Sequence, residues 1–311
     1  MPHYWSLEEV QLEASWLTIG TFDGVHRGHQ EIIKGMVAGA HAAGVPAAVL
    51  TFYPHPALVL GKRKDLYYLT TPEDQAELLG ELGVDVVITH RFDYQTAETS
   101  AREFIDKVKT HLGFMQLWVG YDFALGRGRE GDVPTLQHLG EEFGYTVHLT
   151  PPVENGGDVV SSSQIRNRLL AGEVEDVLRL LGRPYFLKGK VIPGDGRGRL
   201  IGIPTANLEV WPELVIPKSG VYACRVNLNR KTWGAVTNIG VRPTFSTRSD
   251  ALHVETHILD FQGDIYNHTI HLEFLARLRD EQRFPGVEAL VAQIQRDIAR
   301  AQEIFIQGSW L

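Results

Sequence analysis

His26 and His29 stand three residues apart, directly after a turn that carries Gly20 and Gly24. At that spacing two imidazoles share one face of a helix. Trp16, Leu17 and Ile19 lead into Phe22 as a buried strand, and a helical pattern starts near His26. A strand, a glycine turn and a helix start make an anion site, because free backbone N–H groups and the positive dipole end point outward there. Glycine lets the backbone approach a phosphate closely. Two donors aimed at one phosphate stabilise charge that develops during transfer. The plainer alternative is a capped helix start with two polar side chains. For a lone histidine that alternative is preferred; for His-x-Gly-His after a glycine turn, phosphate chemistry is the better expectation.

Three further stretches carry chemistry. Val119 to Asp132 leaves a strand and becomes a loop with Asp122, Phe123, Arg127 and four glycines. It reads either as a solvated surface loop or as a loop that folds over a nucleotide. Ser161, Ser162 and Ser163 precede Ile165-Arg166. Serines ahead of a helix pattern cap it, and Arg166 on the first turn can fork onto a triphosphate. An ordinary capped helix with an exposed arginine is the equal alternative. Gly194, Gly198 and Gly202 then precede Pro204-Thr205-Ala206-Asn207. Thr205 and Asn207 are two apart, so on a strand they face the same way. A hydroxyl and an amide oxygen are hard ligands suited to Mg²⁺, with phosphate oxygens and water completing the shell. The glycine loop can offer N–H groups to phosphates.

The elements around these residues fall into two halves. In the first, strands at 47–52, 85–89, 115–120 and 146–153 alternate with helices at 32–44, 71–83, 100–113 and 133–143. That alternation predicts a parallel sheet covered on both faces, an α/β Rossmann-like domain with its ligands beyond the carboxyl ends of the strands. A helix over 171–181 is broken by Gly182-Arg183-Pro184, and short strands with turn residues follow. They predict a small β-barrel. The expected domains are 1–182 and 183–311. The tail places Leu290, Val291, Ile294, Ile298, Ala301 and Phe305 on one face of a terminal helix that docks on the barrel.

The 311 residues suffice for two cores, and a net charge of −8 argues against a nucleic-acid partner held by a broad basic surface. The single cysteine, Cys224, excludes an internal disulfide framework and reads as a small core residue. No signal peptide and no stretch long enough to span a membrane is found, so the cytoplasm is expected. No feature of the sequence sets an oligomeric state.

The first half resembles the nucleotidyltransferase superfamily through His26-x-Gly28-His29. The longer Gly20-x-Phe22-Asp23-Gly24-x-His26-x-Gly28-His29, the Gly120-x-Asp122-Phe123 loop and Ser162-Ser163-x-Ile165-Arg166 are similar to bacterial FAD synthetases. Ala124 and Leu125 depart from that pattern, where a larger residue and a phenylalanine are expected. The second half resembles riboflavin kinase through the glycine loop with Pro204-Thr205-Ala206-Asn207, Asn238-Ile239-Gly240-x-x-Pro243-Thr244-Phe245, Glu255-x-His257-x-Leu259-Asp260-Phe261 and Leu278-Arg279-x-Glu281-x-x-Phe284. Asn267 departs from a glycine, and asparagine also tolerates the left-handed turn.

The resemblance runs over nearly the whole chain, in the order of the bacterial bifunctional enzymes that make FMN and then FAD. It implies ATP, riboflavin and FMN as substrates, with Mg²⁺. Transfer of AMP to FMN needs no protein nucleophile, only positioning and charge neutralisation. His26, His29 and Arg166 are the expected catalytic residues there. The resemblance implies Gly20, Phe22, Asp23, Gly24, Asp122, Phe123, Arg127, Ser162 and Ser163 as nucleotide or flavin contacts. In the second half it implies Thr205 and Asn207 for Mg²⁺ and Glu255 as the base for the riboflavin hydroxyl. Gly194, Gly198, Gly202, Asn238, Arg242, Arg279 and Glu281 are the expected contacts. A chain with one activity retained, and a flavin-binding regulator, remain as alternatives. The retained base and metal pair favour an enzyme.

Overall fold

A computed structural model describes residues 1–63, 67–194, 196–241 and 252–307. They form two compact units, Met1–Ser162 and Ser163–Leu311. The first unit has strands β1 (His3–Tyr4), β2 (Ser15–Ile19), β3 (Ala47–Tyr53), β4 (Val86–Arg91), β5 (Phe114–Gly120) and β6 (Thr146–Thr150). Its helices are α1 (Arg27–Ala42), α2 (Pro56–Val59), α3 (Pro72–Glu81), α4 (Tyr94–Glu98), α5 (Ala101–Leu112) and α6 (Val133–Phe143). All strand pairs are parallel, in the order β1-β4-β3-β2-β5-β6. Growth runs outward from β2 through β3 to β4, then resumes on the other side with β5. A ligand crevice lies outside the carboxyl ends at such a reversal.

The apolar run Ala47 to Leu50 in β3 is fully buried, as a strand covered on both faces must be. Thr71 caps α3 by accepting the Asp74 N–H at 3.1 Å, with Pro72 in the first turn. Ser100 and Glu103 close a capping box on α5. Gly35 and Gly39 let α1 lie close to the sheet. A Cβ on Gly39 would come within 2.0 Å of the Trp16 ring, and one on Gly35 within 2.8 Å of Trp118. This sets the start of α1 at the end of β2. The opening strand is shorter than expected. It stops at Ile19, and Phe22 has φ +43°, outside the extended region. The edge strand β1 is an addition, since two residues carry no period. A short hairpin, β7 (Glu154–Asn155) with β8 (Asp158–Val159), follows β6.

Helix α7 (Ser162–Ala171) starts at the division between the units, and α8 (Val174–Leu181) ends at Gly182 with φ +73°. The expected join near Gly182 thus falls at the end of α8, while the compact units divide at the start of α7. The second unit then closes a six-stranded antiparallel barrel, β10-β13-β12-β11-β14-β9. Its strands are β9 (Tyr185–Ile192), β10 (Ala206–Val210), β11 (Gly220–Leu228), β12 (Lys231–Val241), β13 (Leu252–Ile258) and β14 (Thr269–Arg279), with a single turn α9 (Arg197–Leu200) between β9 and β10. Alternation points Val254, Thr256 and Ile258 inward. Cys224 is fully buried in β11, and burial pushes its thiol pKa well up, as a core residue requires. Asn267 adopts φ +66°, so the turn survives without glycine.

The terminal helix α10 (Val287–Gln307) packs Ile298, Ala301, Ile304 and Phe305 on Val221, Ala223, Val236 and Ala276 of the barrel. It is also held by a mostly buried ion pair. The Arg279 guanidinium donates to both carboxylate oxygens of Asp297, at 2.8–3.1 Å. Asp297→Ala leaves that guanidinium uncompensated, and a loss of about 3 kcal/mol is expected. Denaturant unfolding of the variant beside Arg279→Met/Asp297→Leu measures it; the double replacement should recover part of the loss.

Candidate functional site

His26 is the N-cap of α1, and its Nδ1 accepts the His29 N–H at 3.4 Å. A neutral His26 therefore carries its proton on Nε2. The two rings stack with centroids 3.5 Å apart. The residue between them that faces the rings must be small: a Cβ on Gly28 would sit 3.2 Å from the His26 ring. The edge of Phe22 closes on His29 at 5.2 Å. His29 Nδ1 is buried and finds no hydrogen-bond partner among the described residues. An orphaned polar atom of this kind marks a place for a ligand group. Burial, then the neighbouring His26, hold the His29 imidazole well below its usual pKa. The ring is neutral near pH 7 and keeps one N–H donor.

That shift carries a stability consequence. Between the depressed folded pKa and about 6.5 in the unfolded chain, only the unfolded state binds the proton. Stability therefore falls as pH drops below about 6.5, with His29 adding a slope of up to ~1.4 kcal/mol per pH unit. His3 and His90 are shifted in the same direction by burial, so a comparison isolates His29. Chemical unfolding of the wild type and His29→Gln from pH 5 to 7 should give a flatter profile for the variant.

The loop ahead of α1 is held in an uncommon backbone. Phe22 and Val25 have φ +43° and +41°, which bulky and β-branched residues adopt only under constraint. The Thr21 carbonyl accepts from Thr51 Oγ1 at 3.1 Å and Gln75 Nε2 at 2.8 Å. Gly24 donates to Thr70 Oγ1 at 3.3 Å. Asp23 is buried, and its carboxylate accepts the N–H groups of Leu69 and Thr70 at 2.9–3.3 Å. Its carbonyl accepts the Ser162 hydroxyl at 2.9 Å. In this structure Asp23 fastens the loop.

A cavity of about 410 Å³ opens beyond the carboxyl ends of β2 to β5. Gly20, Asp122 and Phe123 line it, together with Ala124 and Leu125. The other expected residues of this half, including His26 and His29, stand outside that lining. The arginine loop supplies Arg129, not Arg127: Arg129 lines the cavity and donates to the Asp122 carbonyl at 2.8 Å. Arg127 is exposed, its N–H bound to the Thr99 carbonyl at 2.9 Å. Lys62 and His55 also line the cavity. Lys62 and Arg129 outweigh the Asp122 carboxylate in that lining and bias the cavity toward an anionic ligand. Nothing in their spacing along the chain signalled this. Ser163 and Arg166 lie on α7 in the second unit, where Arg166 is buried.

In the second unit the register joins three expected residues. Asn207 of β10 pairs with Glu255 of β13, and Glu255 pairs with Asn238 of β12. Side chains directly opposite on neighbouring strands share a face at about 5 Å. Glu281 joins them: a Cβ on Gly240 would lie 2.3 Å from Glu281 Oε1 and 3.2 Å from Asn238 Nδ2. Across this face runs the glycine loop. A Cβ on Gly194 would strike the Asn207 amide, 3.1 Å from Oδ1, and one on Gly198 would lie 3.4 Å from Thr205 Oγ1. The Thr205 hydroxyl and the Asn207 amide, its Nδ2 nearer the loop than its Oδ1, therefore both face the loop. Gly202 takes φ +77° in the turn that follows α9. Thr205 lines a cavity of about 390 Å³ with Arg199 and Tyr266, whose hydroxyl accepts from Arg199 Nη2 at 3.2 Å.

Two hard oxygens beside a glycine cradle suit Mg²⁺, which takes few protein ligands and shares its shell with phosphate and water. Among the described residues no group of three or more His, Cys, Asp or Glu side chains is placed to hold a metal. Arg279 turns its guanidinium to Asp297. Arg242 lies outside the described residues. His257 was not singled out by its type, yet its Nδ1 lies 2.7 Å from the Pro204 carbonyl.

Comparison with known proteins covers both halves. Residues 8–164 match the FAD synthetase family, and residues 181–305 match the riboflavin kinase family. The bifunctional riboflavin kinase/FMN adenylyltransferase of Pseudomonas fluorescens is 41% identical over 92% of this chain and 92% of its own. The chain belongs to the bifunctional riboflavin kinase/FMN adenylyltransferase family. Its Listeria monocytogenes member is 40% identical, over 90% of this chain and 89% of that one. The riboflavin kinase/FMN adenylyltransferase fold also matches the crystal structure of a protein named a macrolide-efflux protein from Streptococcus pneumoniae. That match has TM-score 0.88 and 29% identity, over 97% of this chain and 98% of that one. Among the described residues of this chain no helix is long and apolar enough to cross a membrane.

Proposed function

We infer that the chain makes FAD from riboflavin in two steps. Its second half transfers the γ-phosphoryl group of ATP to the riboflavin 5′-hydroxyl, giving FMN and ADP. Its first half transfers AMP from ATP to the FMN phosphate, giving FAD and pyrophosphate. The observation that carries the reading is that both families match in order along one chain whose relatives match over 89–92% of their own length. We assign the functional domains as 1–182 and 183–311, which agrees with matches ending at 164 and resuming at 181.

In the kinase half a hydroxyl must lose its proton as it attacks. The Glu255 carboxylate accepts that proton, and Asn207 and Asn238 flank it across the ladder. The O–P bond forms, the bond to the ADP oxygen breaks, and ADP carries the electron pair away. Thr205 and Asn207 would hold Mg²⁺, which when bound neutralises phosphate charge. In the other half the FMN phosphate is already an anion and needs no base. His26 and His29 donate to the phosphates at the start of α1, and Arg166 is assigned to the triphosphate. Lys62 and Arg129 support FMN in the crevice beyond the strands. We place the enzyme in the cytoplasm, consistent with ATP-dependent chemistry and a single buried thiol.

One incubation tests the whole reading. Purified protein with riboflavin, ATP and Mg²⁺ should show FMN first and FAD later by chromatography. FMN that accumulates, even when FMN is the supplied substrate, would mean that only the kinase is retained. Ala124 and Leu125 line the crevice wall, so that outcome would point to them. Tight flavin binding without conversion would make the protein a regulator instead.

A further inference from the structure

We propose that His257 is a positioning residue for the kinase site, acting through the Pro204–Thr205 peptide group. The inference rests on the reading of Thr205 as a Mg²⁺ and ATP ligand. His257 Nδ1 lies 2.7 Å from the Pro204 carbonyl oxygen. A carbonyl only accepts, so Nδ1 carries the proton and donates. The Pro204 carbonyl belongs to the same planar group as the Thr205 N–H. Fixing one end of that plane fixes the other, and it points the Thr205 N–H away from the imidazole.

Thr205 needs such a fastening. The paired register of β10 begins at Ala206, opposite Thr256, so Thr205 stands just outside the ladder. Pro204 has no N–H to donate. The turn before it is tied by the Ile203 N–H to the Gly198 carbonyl at 2.8 Å, one residue short of the plane in question. His257 comes from β13, two residues from Glu255, so both project from the same face of that strand. One strand thus carries the base and the group that aims the metal ligand. The imidazole couples the two across 53 residues of sequence.

The test uses the full-length chain and three replacements. Asparagine places an amide N–H near the position of histidine Nδ1, glutamine places it near Nε2, and leucine removes it. His257→Leu should raise the KM for ATP or lower kcat, so that kcat/KM for ATP falls roughly five- to tenfold, the scale of one hydrogen bond. The KM for riboflavin should stay within about twofold, since the contact touches the ATP side. His257→Asn should restore most of the loss and His257→Gln should not. Thermal melting of each variant identifies general unfolding, which would depress both substrates' parameters together. Wild-type-like kinetics in all three variants would overturn the inference, as would an asparagine variant as poor as leucine with unchanged melting. A wild-type chain that leaves riboflavin unphosphorylated would overturn the kinase reading itself, and this inference with it.

Discussion

His29→Ala is expected to lower the rate of FAD formation by a factor on the order of 10² to 10³ and to leave FMN formation at the wild-type rate. The imidazole sits at the start of α1, stacked on His26, with a buried nitrogen that lacks a partner among the described residues. It is neutral at working pH, and on the proposed role its N–H donates to a phosphate as charge builds in the transition state. In a site shielded from water such a donor is worth far more than a surface hydrogen bond. Alanine removes the donor and leaves space beside the Phe22 edge. His29→Asn keeps a donor on a shorter side chain and should retain part of the rate. The check is FMN and ATP turnover to FAD, with riboflavin phosphorylation measured in the same preparation. FAD produced at the wild-type rate would remove His29 from the machinery.

The second large effect concerns Glu255. Glu255→Gln should reduce riboflavin phosphorylation by roughly 10² to 10⁴, the range for loss of a positioned base. Glutamine preserves the volume and remains able to hydrogen-bond, so the barrel should remain intact. It cannot accept the hydroxyl proton. Adenylylation of supplied FMN should continue unchanged, because that phosphate attacks as an anion. Normal kinase turnover in the variant would mean that the hydroxyl proton leaves by another route.

Much of this arrangement was legible from residue order. Alternating apolar strands and capped helices announced the parallel sheet, because Thr71-Pro72 and Ser100-x-x-Glu103 are local devices that work in place. Thr205 and Asn207 could be paired by their spacing alone. What residue order does not set shares a physical cause. Whether Arg127 or Arg129 lines the crevice depends on the φ of +63° at Gly128 and +65° at Arg129, which no periodicity encodes. The pairing of Arg279 with Asp297, on a different element, has no signal in the chain order. His257 acquires a partner 53 residues away, visible only once the barrel has closed.

With Glu255 proposed as the base, the row Asn207–Glu255–Asn238 ties kinase competence to strand alignment in the barrel. Side chains alternate, so removal of one residue within β10, β12 or β13 would turn the downstream members of that strand from the outer face to the interior. The same frame constrains the connection between β9 and β10, which carries the glycine loop and Thr205 up to the row. Riboflavin phosphorylation then serves as a sensitive gauge of whether a refolded or redesigned barrel has closed in the correct frame.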